Sequence, residues 1–227
     1  MGEITLMKLI KSKSRVRKHG EVFTPDWMVK KMLSEPAIQK KIKDIRATFF
    51  EPSVGEGAFV TEILHQKLNH VDEISNKSDW IENALWVVAS IYGIELLTDN
   101  LIIAKHNLVN VLIEHYQKFY QKELSKNTDL YKSARYIIDN NIVQGNALTY
   151  LNNSNNLIVF SEWVKQDDKV KQLQFTFKSL VEDNFNSFDM NRQIELLDED
   201  KPLNDGFIKI TKVYKNKLGG LKHDDRS

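Results

Sequence analysis

The stretch that most constrains this chain is FFEPSVGEGAF, residues 49–59. An apolar run ends in an acid, turns through Pro52 and two glycines, and re-emerges as an apolar-periodic segment. The pattern predicts a strand over residues 48–50, a tight turn over 51–57 and a helix over 58–69. Glycine has no Cβ, so a turn of this kind lets backbone N–H groups and a helix N-terminus come close to a ligand. The acid at the strand end, Glu51, would instead attract a ligand's amino group or hydroxyls. An ordinary strand–helix turn with incidental glycines has the same local spelling, so the decision falls to the rest of the chain.

Much is excluded by composition. The 227 residues contain no cysteine, which rules out disulfides, thiolate metal sites and cysteine nucleophiles. With 41% hydrophobic and 28% charged residues and a net charge of +1, the chain reads as one soluble globular domain, alone or with an appendage. No run approaches the roughly 18 apolar residues of a membrane span. The N-terminus carries a short apolar patch followed by charge, the reverse of a secretory signal. Leu6 stands where a myristoylation motif has Ser or Thr. A cytoplasmic protein is the expectation, and no metal site: His65 and His70, five apart on one helix, do not face each other. The near-neutral total conceals a basic run, Lys8, Lys11, Lys13, Arg15, Arg17 and Lys18. Such a run suits phosphates, although a solvated arm looks the same.

Along the chain, Thr24-Pro25 marks a helix start, and a short lysine-rich helical segment covers residues 38–45. After the Gly turn the helix buries Phe59, Val60, Ile63, Leu64 and Leu68. A largely buried helix is expected over 80–90, then a strand over 91–95 that ends in Glu95. Thr98 or Asp99 can cap a long helix running to about residue 119, and another follows over 129–138. A third strand over 141–148 runs into a polar turn at Asn146. Strands alternating with helices predict an α/β fold, with a mostly parallel sheet and flanking helices. In such sheets ligands bind beyond the carboxyl ends of the strands, where Glu51, Glu95 and Asn146 all fall. Further strands are expected over 157–160, 172–180 and 206–214, with a solvated acidic run at 195–200 and a flexible tail over 219–227.

Taken together, these residues resemble the S-adenosylmethionine-dependent N6-adenine DNA methyltransferases of restriction–modification systems. GEVFTP looks like that family's N-terminal cofactor motif, and FFEPSVGEGAF is similar to its Gly-rich cofactor loop. IYGIELLTDNLIIAKHNL resembles the next element, in which an acid grips the ribose, and NIVQGNAL the third. The matches occur in the family's order and cover residues 20–150. The resemblance implies a Rossmann-like methyltransferase fold, with S-adenosylmethionine as cofactor. It also implies that Phe23, Thr24 and Pro25 contact the methionine end, while Glu51 and the backbone of Gly55 and Gly57 hold the amino-acid moiety. Glu95 would bond the ribose hydroxyls, Leu96 would pack on the adenine, and Asn146 would sit near its amino group, with Pro52 and Ala147 lining the same pocket. The family usually has Asp at the place of Asn146; the amide still has an acceptor oxygen.

The family's catalytic motif, Asn or Asp followed by Pro-Pro and an aromatic, is absent from the sequence. After LIVF, where it is expected, stand Ser161, Glu162 and Trp163. Ser161 and Glu162 as acceptors with Trp163 as stacking face would make a diverged enzyme. A cofactor-binding module without transfer is the alternative, and a target other than DNA adenine is a third reading. No target-recognition domain is recognisable, so DNA binding would need a separate specificity subunit. The expected organisation is a basic arm over 1–19, a methyltransferase-like domain over 20–163, and an irregular extension over 164–227 that completes the sheet and ends in the tail.

Overall fold

The computed structural model describes residues 24–182 and 207–215. The basic arm, Phe23, the acidic run and the tail lie outside the described residues. Two short helices come first, α1 (Asp26–Leu33) and α2 (Pro36–Ile42). Pro36 opens α2 at a position where the missing N–H is no loss. Then follow β1 (Phe49–Glu51), α3 (Ala58–Ile74), α4 (Trp80–Ala89), β2 (Ile91–Glu95), α5 (Thr98–Tyr120), α6 (Asp129–Asn141) and β3 (Ile142–Gln144). The Oγ1 of Thr128 caps α6 by accepting from the Tyr131 N–H.

The chain is mixed α/β. β1, β2 and β3 form a parallel sheet in the order β1–β2–β3, with Glu51 opposite Gly93 and Glu95 opposite Gln144. Every residue of β2 is buried, as expected of a strand covered on both faces. Alternation along the strands sorts their side chains between two cores. Phe49, Ile91 and Ile142 pack with the helices α3 to α6, whereas Phe50, Tyr92, Ile94 and Val143 face the other way.

That second face is covered by a feature the sequence reading missed. β4 (Val159–Gln166) and β5 (Lys169–Thr176) form an antiparallel hairpin, followed by the short helix α7 (Phe177–Glu182). Among the described residues the two strands pair as a sheet of their own and do not extend the parallel one. Among the described residues, nothing beyond residue 163 adds a strand to the parallel sheet, and the boundary expected there falls within β4. The reason is local. Gln166 pairs with Lys169 across a two-residue turn, Asp167-Asp168, with Asp167 at φ 53°. A two-residue turn can only join antiparallel neighbours, since a parallel partner needs a crossover of a dozen residues or more. Phe160 anchors the hairpin on the sheet, with its ring 5.7 Å from Tyr92 and 6.1 Å from Phe50. The strand expected over 206–214 is instead a bridge from Ile208 to Val170 and a 3-10 helix, Ile210–Lys215. Its Val213 is fully buried, and Lys212 and Tyr214 both bond Asp129 at the start of α6. Among the described residues no helix is long and apolar enough to cross a membrane.

Candidate functional site

The carboxyl ends of the three parallel strands converge on one region, and the Gly turn folds over it. Ser53 N–H donates to Glu51 Oε1 at 3.0 Å, which curls the turn back on the strand it leaves. Val54 N–H donates to the Ile94 carbonyl at 2.9 Å, tying the turn to β2. Gly93 makes this approach feasible: a Cβ there would stand 2.3 Å from Val54 Cγ2 and 3.2 Å from the Glu51 carbonyl oxygen. Gly55 and Gly57 both have positive φ, +59° and +97°, which side-chain-bearing residues rarely adopt. Their spaces differ. A Cβ on Gly57 would press on Thr61 and Ala104, but one on Gly55 would meet nothing within 4 Å. The turn is thus packed on its Gly57 side and open at Gly55.

Glu95 is the hinge of the site. Its Oε2 accepts from Gly55 N–H at 2.7 Å, and its Oε1 accepts from Leu97 N–H at 2.9 Å and from Asn100 Nδ2 at 3.4 Å. One carboxylate at the end of β2 therefore holds both the Gly turn and the first turn of α5, while only 5% exposed. Placing a negative charge at a helix N-terminus is favourable in itself. Asn107 of α5 donates to the Glu56 carbonyl at 3.0 Å, so a second bond from the same helix fixes the turn. Glu51 is half-buried, and that burial raises its pKa above the ordinary carboxylate value, opposed by the Ser53 bond.

At β3 the chain continues through Gly145, whose N–H donates to the Glu95 carbonyl at 3.0 Å. Asn146 Oδ1 accepts from Leu148 N–H at 2.9 Å, and Gln144 Nε2 donates to the Leu96 carbonyl at 3.1 Å. This cross-link joins the loops after β2 and β3. Leu96 and Leu148 are both exposed, Leu148 at 90%.

The sequence-predicted residues thus divide. Glu51, Pro52, Gly55, Gly57, Glu95, Leu96, Asn146 and Ala147 lie at or next to the strand ends. Thr24 and Pro25 stand at the start of α1, which packs against α3, and Pro25 supplies the carbonyl that accepts from Met28 and Val29. Phe23 is outside the described residues. The expected catalytic group is placed elsewhere. Ser161, Glu162 and Trp163 are inside β4, not after it, and the strand runs away from the site. Trp163, 4% exposed, donates its indole N–H to Asn141 Oδ1 at 3.0 Å. Asn141 in turn holds the Ala89 carbonyl, at the amino end of β2. Ser161 Oγ accepts from Gln172 Nε2 at 2.7 Å, and its carbonyl accepts from the Tyr92 hydroxyl at 3.0 Å. Ser161 and Trp163 are therefore packing and hydrogen-bonding groups of the hairpin, at the end of the sheet opposite the Gly turn. Glu162 is partly buried, and burial pushes its carboxyl up to about 7. Its place on β4, beyond Phe160, keeps it with the other two.

Sequence reading missed Gly93, Val54, Asn100 and Asn107. Only Gly93 carried a signal, as an isolated glycine inside an apolar strand, which commonly marks a close backbone approach. No family model, no curated protein and no solved structure matches this chain.

Proposed function

We propose that this chain is a Rossmann-like, S-adenosylmethionine-binding subunit of the DNA adenine methyltransferase type, working in a restriction–modification setting. The observation that carries the reading is Glu95 Oε2 on Gly55 N–H at 2.7 Å, because it brings the acid of the second strand onto the open face of the Gly turn. The strand order β1–β2–β3 is the order of one half of a doubly wound sheet, where ligands sit beyond the strand ends.

The residues fit such a cofactor in kind. Gly55 offers a face with no side chain and free space above it, which suits close approach of a ligand while its own N–H stays on Glu95. Glu51 offers an acceptor for an ammonium group. An ionised carboxylate has about four acceptor positions. Glu95 Oε1 and Oε2 accept three bonds between them, which leaves capacity for a ribose hydroxyl. Leu96 and Leu148 supply apolar surface for a purine. The cofactor itself supplies the chemistry, an activated methyl group on a sulfonium. This chain binds and orients it, and DNA contact falls to the basic arm together with a separate specificity subunit.

A second reading is favoured by the burial of Ser161 and Trp163 within the hairpin. In it the chain binds cofactor as a non-catalytic module of a multi-subunit assembly, and another polypeptide performs transfer. Hydrogen exchange with and without S-adenosylhomocysteine tests the shared claim. Slowed exchange confined to the amides of residues 53–57, 96–98 and 145–148 is expected; unchanged exchange at all three removes the site. Methyl transfer to DNA by the chain alone would then decide for the enzyme over the module.

A further inference from the structure

Away from that site, three helices meet at a chain of side-chain hydrogen bonds. Asp72 of α3 accepts from the Trp80 indole N–H of α4 at Oδ1, 2.7 Å, and contacts His115 Nδ1 of α5 at Oδ2, 2.7 Å. His115 Nε2 lies 3.0 Å from Nδ1 of His65, about two turns before Asp72 on α3. Asp72 and His115 are largely buried, and His65 is exposed. The proton positions follow from the partners. An ionised carboxylate only accepts, so His115 carries its proton on Nδ1 and turns a lone pair on Nε2 toward His65. His65 then carries its proton on Nδ1, and its Nε2 faces outward.

We propose that Asp72, His115 and His65 form a proton-sensitive clasp on the seam between α3 and α5, in which the His115–His65 link is closed at neutral pH and released in acid while His115 stays on Asp72. A proton taken up on the outward Nε2 of His65 leaves every bond in place. A further proton on His115 sets two N–H groups against each other at 3.0 Å and breaks the link. The ionisable groups facing His115 are Asp72 and His65 from α3 and Lys118 from α5, whereas α4 contributes only the neutral Trp80 indole. The Lys105–Asp139 pair that joins α5 to α6 is ten residues away along α5. Burial is the largest influence on His115 and disfavours its charge, outweighing Asp72, so its pKa falls below the ordinary value of 6.5. A depressed pKa gives stability that is present above about 6.5 and is lost as pH falls through the folded value.

The seam matters because α3 begins at the Gly turn and α5 begins just beyond Glu95. The clasp joins the two helices that carry the halves of the candidate site, although the inference stands without any ligand. The test is urea unfolding of the whole chain at about pH 7.5 and about pH 5.5, for wild type and His115→Gln. Lys67 and Glu162 titrate in both proteins and cancel in the comparison. We expect wild type to lose more stability on acidification than His115→Gln, at least twofold. An equal loss overturns the clasp. Imidazole nitrogen NMR of the wild type gives a second readout that does not depend on the variant folding. Both rings in the Nδ1–H form at neutral pH are expected, and a proton found on His115 Nε2 contradicts the proposal.

Discussion

At Glu95 one carboxylate accepts from Gly55 N–H and Leu97 N–H, so it is at once a structural clip and a candidate ligand contact. Glu95→Gln keeps the shape but turns an amide donor toward one of these N–H groups. It should cost about 1–3 kcal/mol of stability, as expected when a buried donor loses its acceptor. If the ribose reading holds, affinity for S-adenosylhomocysteine should also fall by about 10- to 100-fold, the ~1.5–3 kcal/mol of a charge-assisted bond. Calorimetry on the folded variant separates the two effects. The glycines make a paired test. Gly93→Ala drives a methyl into Val54 and toward the Glu51 carbonyl, and should cost about 1–3 kcal/mol in urea unfolding. Gly55→Ala meets no atoms and costs only the strain of its positive φ, ~1 kcal/mol, but it fills the open face and should weaken binding. Lys67 gives a pH signature of its own. It is fully buried, bonds the Ala47 carbonyl at 2.6 Å, and burial lowers its pKa from 10.5 to about 7. Between those values the unfolded chain binds more protons than the folded one, so stability rises with pH across that window. Lys67→Met should flatten the rise in a series of urea midpoints.

The elements show where sequence reading succeeds and where it fails. β2 was legible because IYGIE is a short apolar run closed by an acid, and α3 because Val60, Ile63, Leu64 and Leu68 keep helical spacing. The hairpin was not. Its turn is Asp-Asp rather than a glycine-containing pair, and Ser161, Gln172 and Gln174 interrupt the apolar alternation that would have marked two long strands. Ser161 and Gln172 are explained by tertiary partners. Gln172 bonds Ser161 and Tyr136, a satisfaction that no local pattern encodes. Reading β4 as a short strand put Ser161, Glu162 and Trp163 beyond its end, where catalytic residues belong, when they lie within it. Trp163→Phe tests the packing contact. Losing the bond to Asn141 should cost about 1–2 kcal/mol in thermal or urea unfolding while leaving cofactor affinity unchanged. A Trp163→Phe protein of full stability but impaired binding would return the residue to the site.

On the scale of the whole molecule, a three-stranded parallel sheet is held between helices on one face and a hairpin on the other. The strand ends remain the place where backbone N–H groups, two carboxylates and exposed leucines gather. Parallel packing produces that convergence, since Glu51 and Glu95 end neighbouring strands with a register offset of two residues. The order of motifs made it readable in advance, whereas the cross-links from Asn100, Asn107 and Gln144 depend on side chains meeting across loops. This convergence is the proposed cofactor pocket. Its most direct test is calorimetric titration of the purified chain with S-adenosylhomocysteine. Saturable one-to-one binding is expected; absence of heat and of saturation up to millimolar ligand, with the fold intact, would rule the pocket out.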